Sequence, residues 1–329
     1  MTDGRQQERN GARLIGWRDL LRAPIIGAPM FLASGPDLVI AQCTAGIIGT
    51  LPALNARPVA QFGDWLDRIA DALAAWDAAH PERPAAPFGV NLIVHRSNSR
   101  LEEDLALCVR HRVPLVISSM GAREEVNRAV QAYGGVTLHD VTTQDHARKA
   151  IEKGASGLIL VATGAGGHAG RLSPFALVEE TRAWFGGPIA LAGAIATGRG
   201  IAAARAMGAD FAYLGSAFIA TAESTAFAAQ KQGMLAAGAE DIVYTPAFSG
   251  TPANYLRTSI VAAGLDPDAL PATRREIDLT NPDRSTRTWT DIWGCGQGVG
   301  SIDAIVPTAA LVDRLVAEYR AALAGLARP

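Results

Sequence analysis

Cysteine is scarce: Cys43, Cys108 and Cys295 are the three in 329 residues, with no CxxC and no Cys/His spacing. That excludes a disulfide framework and a structural zinc site, and leaves three small hydrophobes for the interior. Charge of one sign is also missing. Thirty Lys+Arg stand against 32 Asp+Glu, a net charge of −2, so no global field draws the chain to nucleic acid or an anionic membrane. No apolar run approaches the ~18 residues of a membrane span. The polar stretch 1–13 lacks the apolar core of a secretory signal. The chain has neither HExxH nor HxH, which argues against a zincin site, and no GxSxG nucleophile elbow. The expectation is a cytoplasmic protein acting on a small molecule.

What the chain has is apolar material, 49% of its residues against 19% charged, enough for a sizeable core. Eight short apolar runs, at 24–30, 46–51, 88–94, 114–120, 136–141, 157–162, 188–194 and 211–217, are each too short for a buried helix and end in turn residues. Between them lie helical patterns at 36–45, 62–79, 99–112, 122–133, 143–153, 174–184 and 197–207. Thr143 and Thr197 are placed as N-caps, with Gly154 and Gly208 as stops. Continuous apolar strands alternating with helices predict a parallel sheet covered on both faces, and eight units predict an α/β fold of the (β/α)8 TIM barrel type. A doubly wound open sheet is the alternative. After Ala217 the rhythm breaks: 219–237 reads as one long Ala-rich helix and 245–287 has little periodicity. The resulting division is a flexible tail at 1–13, a barrel from 14–225 with 290–329, and a lid or substrate subdomain at 226–289. A helix over 307–326 closes the barrel.

In a barrel the loops after the strands face the active site, with a phosphate site commonly after the last two. Here the seventh run leads into AGAIATGRG (192–200) and the eighth into LGSAF (214–218), so Gly193, Gly215 and Ser216 offer backbone N–H groups and a hydroxyl. The sixth runs into TGAGGHAG (163–170), a flexible loop with one imidazole, His168, among glycines. GAGGHA also matches the dinucleotide pattern GxGxxA, but five strands precede it and no helix opens on it, so a Rossmann reading fails on context. His139 and Asp140 end the fifth run and either enter the pocket or form a structural contact. His80, His95, His111 and His146 have no metal-ligand spacing.

Taken together, APM (28–30), GVNL (89–92), GAGGHAG, AGAIATGRG and LGSAF resemble the nitronate monooxygenase family, formerly called 2-nitropropane dioxygenases. The resemblance implies an FMN-dependent TIM barrel, related to FMN-dependent enoyl-acyl-carrier-protein reductases and NADH:quinone reductases. It implies that Ala28, Pro29, Met30 and Phe31 lie along the isoalloxazine and that Asn91 hydrogen-bonds it. Ser119, Gly166 and Gly167 join them as flavin contacts. Gly193, Ala194, Gly215 and Ser216 then hold the phosphate, and His168 matches the catalytic base. Two departures stand out. The family's phosphate loop commonly reads GG where this chain has Gly193-Ala194, and some nitronate-oxidising members carry a lysine where Asp140 stands. The segment WGCGQGVGSI (293–302) resembles a WSAGQG-like segment of the family, which brings Trp293 and Gln297 toward the flavin.

The implied reaction oxidises an alkyl nitronate or nitroalkane with O2 to a carbonyl compound and nitrite. The first alternative is an NAD(P)H-dependent FMN reductase of an enoyl or acyl thioester or a quinone, with Arg257, Arg274 and Arg275 of the lid as phosphate contacts. The second is a flavin-binding protein without turnover. The partner expected is a small-molecule substrate, not nucleic acid or membrane; a homodimer is the assembly considered.

Overall fold

A computed structural model describes residues 2–270 and 290–327. Eight parallel strands form one sheet: β1 (Ile25–Gly27), β2 (Gly49–Pro52), β3 (Phe88–Ile93), β4 (Leu115–Ser119), β5 (Val136–Val141), β6 (Gly157–Val161), β8 (Ile189–Ala192) and β9 (Phe211–Leu214). Strand β7 (Gly167–His168) belongs to a second, three-stranded sheet. The order β1-β9-β8-β6-β5-β4-β3-β2 is closed by a parallel bridge between Ile26 and Ile48, so the sheet is a barrel and not the open alternative. Each strand overlaps one of the eight expected runs.

The runs look continuously apolar because both faces are covered. Leu115, Ile117, Val136, Leu138, Ile159, Ala190 and Phe211 point inward and fill the barrel. Val90, Leu92 and Val116, and on the other side Leu158, Leu160, Ile189 and Leu191, point outward under the helices. Those helices are α2 (Pro36–Thr44), α3 (Val59–Ala79), α4 (Leu101–Arg110), α5 (Glu124–Ala132), α6 (Gln144–Glu152), α7 (Pro174–Arg182) and α8 (Gly198–Ala206). Thr143 and Thr197 cap as their positions require, accepting from the amides of His146 at 3.2 Å and Gly200 at 3.1 Å. The last helix, Thr308–Leu326, buries Leu311, Val312, Leu315 and Val316 against the barrel's outer layer.

Three segments depart from the expectation. Where a flexible tail is read over 1–13, a helix α1 runs from Thr2 to Leu20. Its Leu14 is fully buried in the barrel interior, and Asn10 and Gln7 donate to the carbonyls of Gly135 (3.0 Å) and Ala155 (2.6 Å) just before β5 and β6. The helix therefore closes the barrel at the strands' N-terminal ends. The expected long helix over 219–237 is broken into α9 (Ser216–Ile219) and α10 (Ala228–Leu235). The polar residues between and beside them have tertiary partners: Lys231 Nζ donates to the carbonyls of Thr221 and Ser224, and Glu223 accepts from the amide and hydroxyl of Thr308. Within the stretch read as unpatterned, β10 (Ile242–Thr245) and β11 (Ala253–Leu256) form an antiparallel hairpin followed by α11 (Arg257–Ala262).

All three cysteines are buried free thiols, and burial pushes the pKa of Cys43 and of Cys295 up to about 12. Among the described residues no helix is long and apolar enough to cross a membrane.

Candidate active site

Strand periodicity decides which side chains reach the barrel mouth. Val136 and Leu138 face inward, so Asp140, two residues on, does too; likewise Ser119 after Leu115 and Ile117. With Asn91, Val161, Ala192 and Tyr213 they form the top layer of the barrel, and all six border a cavity of about 1070 Å³ at the strands' C-terminal ends. Ala28, Pro29, Met30, Phe31, Gly166, Gly167, His168, Gly193, Ala194, Gly215 and Ser216 border it as well. His168 and the residues named above for the isoalloxazine and the phosphate thus face one space.

The loop after β1 is fixed by a residue the motifs did not flag. Asn55 donates to the carbonyls of Met30 (2.9 Å) and Ser34 (2.8 Å) and accepts from the amide of Leu32 (3.0 Å). Leu32, Met120 and Ala194 hold left-handed φ of 60°, 63° and 53°, so three of the chain's strained non-glycine residues sit in loops at this end of the barrel. Gly193 beside Ala194 has φ +139°, and a Cβ there would lie 2.7 Å from the Thr163 carbonyl.

The top layer carries an ordered hydrogen-bond chain. Asn91 Nδ2 donates to the Ile117 carbonyl (3.1 Å) and to Ser119 Oγ (2.6 Å), and Ser119 donates to Asp140 Oδ2 (2.5 Å). Because the Ile117 carbonyl can only accept, the amide nitrogen must face it, and Asn91 Oδ1 is the polar atom left for a ligand. Burial pushes the Asp140 carboxyl up to about 6, with the Ser119 bond pulling the other way; its Oδ1 is buried without a protein partner. His139, one residue earlier, faces the helix layer, where its Nε2 meets Asn127 Oδ1 at 3.1 Å. Burial holds its pKa down at about 4. Both residues of the strand-end pair border the cavity; Asp140 turns its side chain inward, while the His139 ring is held by Asn127.

His168 does not lie on a flexible loop. Its strand β7 pairs with β11, Ala253 opposite His168 and Asn254 opposite Gly167. Asn254 Nδ2 further donates to the Ala165 carbonyl at 2.6 Å, and Tyr244 to that of Ala169 at 3.1 Å. The side chain is exposed to the cavity, and the protein packed around it pushes its pKa down, to about 4, favouring the neutral imidazole. Its Nε2 meets Ser249 Oγ at 3.3 Å, while Ser249 donates its one proton to the Thr251 carbonyl (2.9 Å) and accepts from Tyr255 (3.1 Å). Toward His168 the serine therefore presents a lone pair. The contact favours the proton on Nε2 and the lone pair on Nδ1.

The 293–302 segment folds back as its motif implies, but through its glycines: Gly294, Gly296 and Gly298 border the cavity, and the Gly296 amide donates to Ser216 Oγ at 2.8 Å. Gln297 lies against Gly164 behind the wall, and Trp293 packs into an apolar cluster. Arg257 is engaged elsewhere, paired through both guanidinium nitrogens with Asp268 at 2.9 and 3.0 Å. Arg274 and Arg275 fall outside the described residues.

A cavity at the C-terminal mouth of an eight-stranded barrel, with His168 on it among glycines, is the geometry the motifs imply. The family model described as nitronate monooxygenase matches residues 98–318. The chain belongs to the nitronate monooxygenase family. Among its relatives, a nitronate monooxygenase of Paraburkholderia phytofirmans is 30% identical over 278 residues, 74% of this chain and 76% of that one. A 5-hydroxy-7a-methyl-1-oxo-octahydro-1H-indene-4-carboxyl-CoA dehydrogenase of Mycobacterium tuberculosis is 29% identical over 72% of this chain, and the match spans 64% of that protein's length. The nitroalkane oxidase of Streptomyces ansochromogenes superposes with a TM-score of 0.76 at 26% identity, over 95% of this chain and 100% of the other.

Proposed function

We propose that this nitronate monooxygenase family member binds FMN and oxidises an alkyl nitronate or nitroalkane with O2 to a carbonyl compound and nitrite. The observation that carries the reading is the opening of the His168 imidazole onto a cavity bordered by glycines at the barrel mouth.

The residues fit the cofactor. Gly193, Ala194, Gly215 and Ser216 form two side-chain-poor turns at adjacent strand ends, suited to a phosphate approached by backbone and hydroxyl. Met30 and Phe31 with Gly166 and Gly167 leave flat apolar walls for a ring, and Asn91 Oδ1 and the orphaned Asp140 Oδ1 await polar partners. FMN, when bound, supplies the electron acceptor and the route to O2.

His168 has two tasks. With a neutral nitroalkane its Nδ1 lone pair takes the α-proton; toward an anionic nitronate the same nitrogen acts once protonated, as a donor to the nitro oxygens. The hairpin β10–β11 keeps that imidazole at a fixed height over the barrel mouth, and the apolar walls exclude water during transfer.

One observation favours a second reading, an NAD(P)H-dependent FMN reductase of an acyl thioester. The cavity runs outward past Arg57 and Lys149, further than a small nitroalkane requires, and one relative is named for a CoA thioester. Anaerobic mixing separates the two: bleaching of bound flavin by propionate 3-nitronate and not by NADH or NADPH is the expected result. Bleaching by a reduced nicotinamide alone would transfer the assignment to the second reading.

A further inference from the structure

We propose that Asp140 is a hydrogen-bond donor of this site, a neutral acid whose Oδ1 carries a proton into the cavity and donates it to an acceptor on the bound isoalloxazine. The proposal rests on the flavin reading above.

The protons along one wall can be counted. Asn91 gives both amide protons away, to the Ile117 carbonyl and to Ser119 Oγ, and Ser119 gives its proton to Asp140 Oδ2. The side-chain donors of Asn91 and Ser119, which face the cavity from β3 and β4, are thus spent along the wall toward Asp140, and neither is left for a ligand. At the end of the chain Oδ1 is buried and has no protein partner. A carboxylate oxygen left in that state carries the penalty of an unpaired buried charge. A proton on Oδ1 removes it and converts the wall's terminal atom from acceptor to donor. With Asn91 Oδ1 as the neighbouring acceptor, the wall then offers one acceptor and one donor. The pyrimidine edge of an isoalloxazine has the complement, an N–H flanked by carbonyl oxygens.

The surroundings favour the neutral acid. Asp140 sits opposite apolar Ile159 of β6 in the sheet register. Tyr213 of β9 is buried at the same mouth with its phenol held far up and neutral, and His168 of β7 and His139 beside it are both pushed down to neutrality. His146 and Lys149 of α6 border the cavity with exposed side chains; a Lys149 cation opposes the effect from the solvent side. Burial outweighs the Ser119 bond and raises the carboxyl to about 6. A neutral Asp140 also removes the opposition a carboxylate would offer to negative charge gathering on the ring.

The test is FMN affinity of the apoprotein as a function of pH, by flavin fluorescence, for wild type and Asp140→Asn. The cofactor's phosphate titrates in the same range in both proteins and cancels in the ratio of their dissociation constants. The amide of Asp140→Asn keeps a donor at every pH, so the ratio of wild-type to variant constants should be near one at pH 5. It should climb about tenfold per unit once the acid ionises above about 6. Ser119→Ala removes the bond that favours the ionised form and should move the break to higher pH, which keeps the test decisive should Asp140→Asn fold poorly. A flat ratio, a ratio that falls with pH, or a break that moves down in Ser119→Ala overturns the proposal. Failure of both proteins to take up FMN at any pH overturns the flavin reading and this inference with it.

Discussion

Two histidines at the same end of the barrel show how environment divides one residue type. His139 is clamped between strand and helix by Asn127, and burial alone holds its pKa near 4. Its ordinary value is 6.5, so the unfolded chain binds the extra proton first as pH falls. Its stabilisation is therefore present above about 6.5 and lost on the way down through about 4. Denaturant titrations across that window should show stability falling by an amount on the order of 1–3 kcal/mol, and His139→Gln should flatten the slope. His168 is set apart by the Ser249 contact and by facing the cavity. His168→Asn should leave FMN bound, seen in the visible spectrum, while kcat/KM for a neutral nitroalkane drops by roughly 10²–10⁴. Ser249→Ala should act more weakly, costing about 1 kcal/mol or roughly fivefold in the same parameter, because it frees the tautomer without removing the base. None of this was visible locally: Ser249 and Tyr255 lie more than eighty residues from His168, and no spacing rule connects them.

At the level of elements, the eight strands and seven intervening helices were legible because their burial repeats with the period of the backbone. Phe88–Ile93 and Gly157–Val161 read as apolar runs since helices cover one face and the barrel interior the other. The departures share a physical origin. Helix α1 is polar in composition because Gln7, Asn10 and Arg13 bond to carbonyls at the strand starts, so polarity there signals attachment and not detachment. Its anchor makes a prediction: Leu14→Ala, emptying a fully buried site, should cost about 2–5 kcal/mol in thermal or denaturant unfolding. Strands β10 and β11 are four residues each, too short for a period to declare itself. The phosphate-loop departure at Ala194 also has a measurable cost. With φ at +53°, Ala194→Gly should stabilise the fold by about 0.5–1 kcal/mol.

For the whole molecule, fold and site were legible together because a closed barrel sends every strand end to one mouth. Motifs far apart in the chain, such as Ala28-Pro29-Met30 and Leu214-Gly215-Ser216, meet there because β1 and β9 are neighbours. What the order of motifs could not convey is the top layer's donor chain, which needs Asn91, Ser119 and Asp140 to be on three adjacent strands with the same inward phase. Cofactor binding should also register globally. At a hundredfold excess over Kd, FMN should add about 2.7 kcal/mol to the folded state, read as a rise in melting temperature that scales with its concentration.

The two-residue strand Gly167–His168 takes its sheet partner, among the described residues, from a hairpin far downstream, at Ala253 and Asn254. The imidazole's height and tilt are thus encoded in a different stretch of gene from the barrel that receives the ligand. Transplanting 242–256 from a relative would re-aim the base over an untouched floor, giving breeders of new variants a dial separate from cofactor retention.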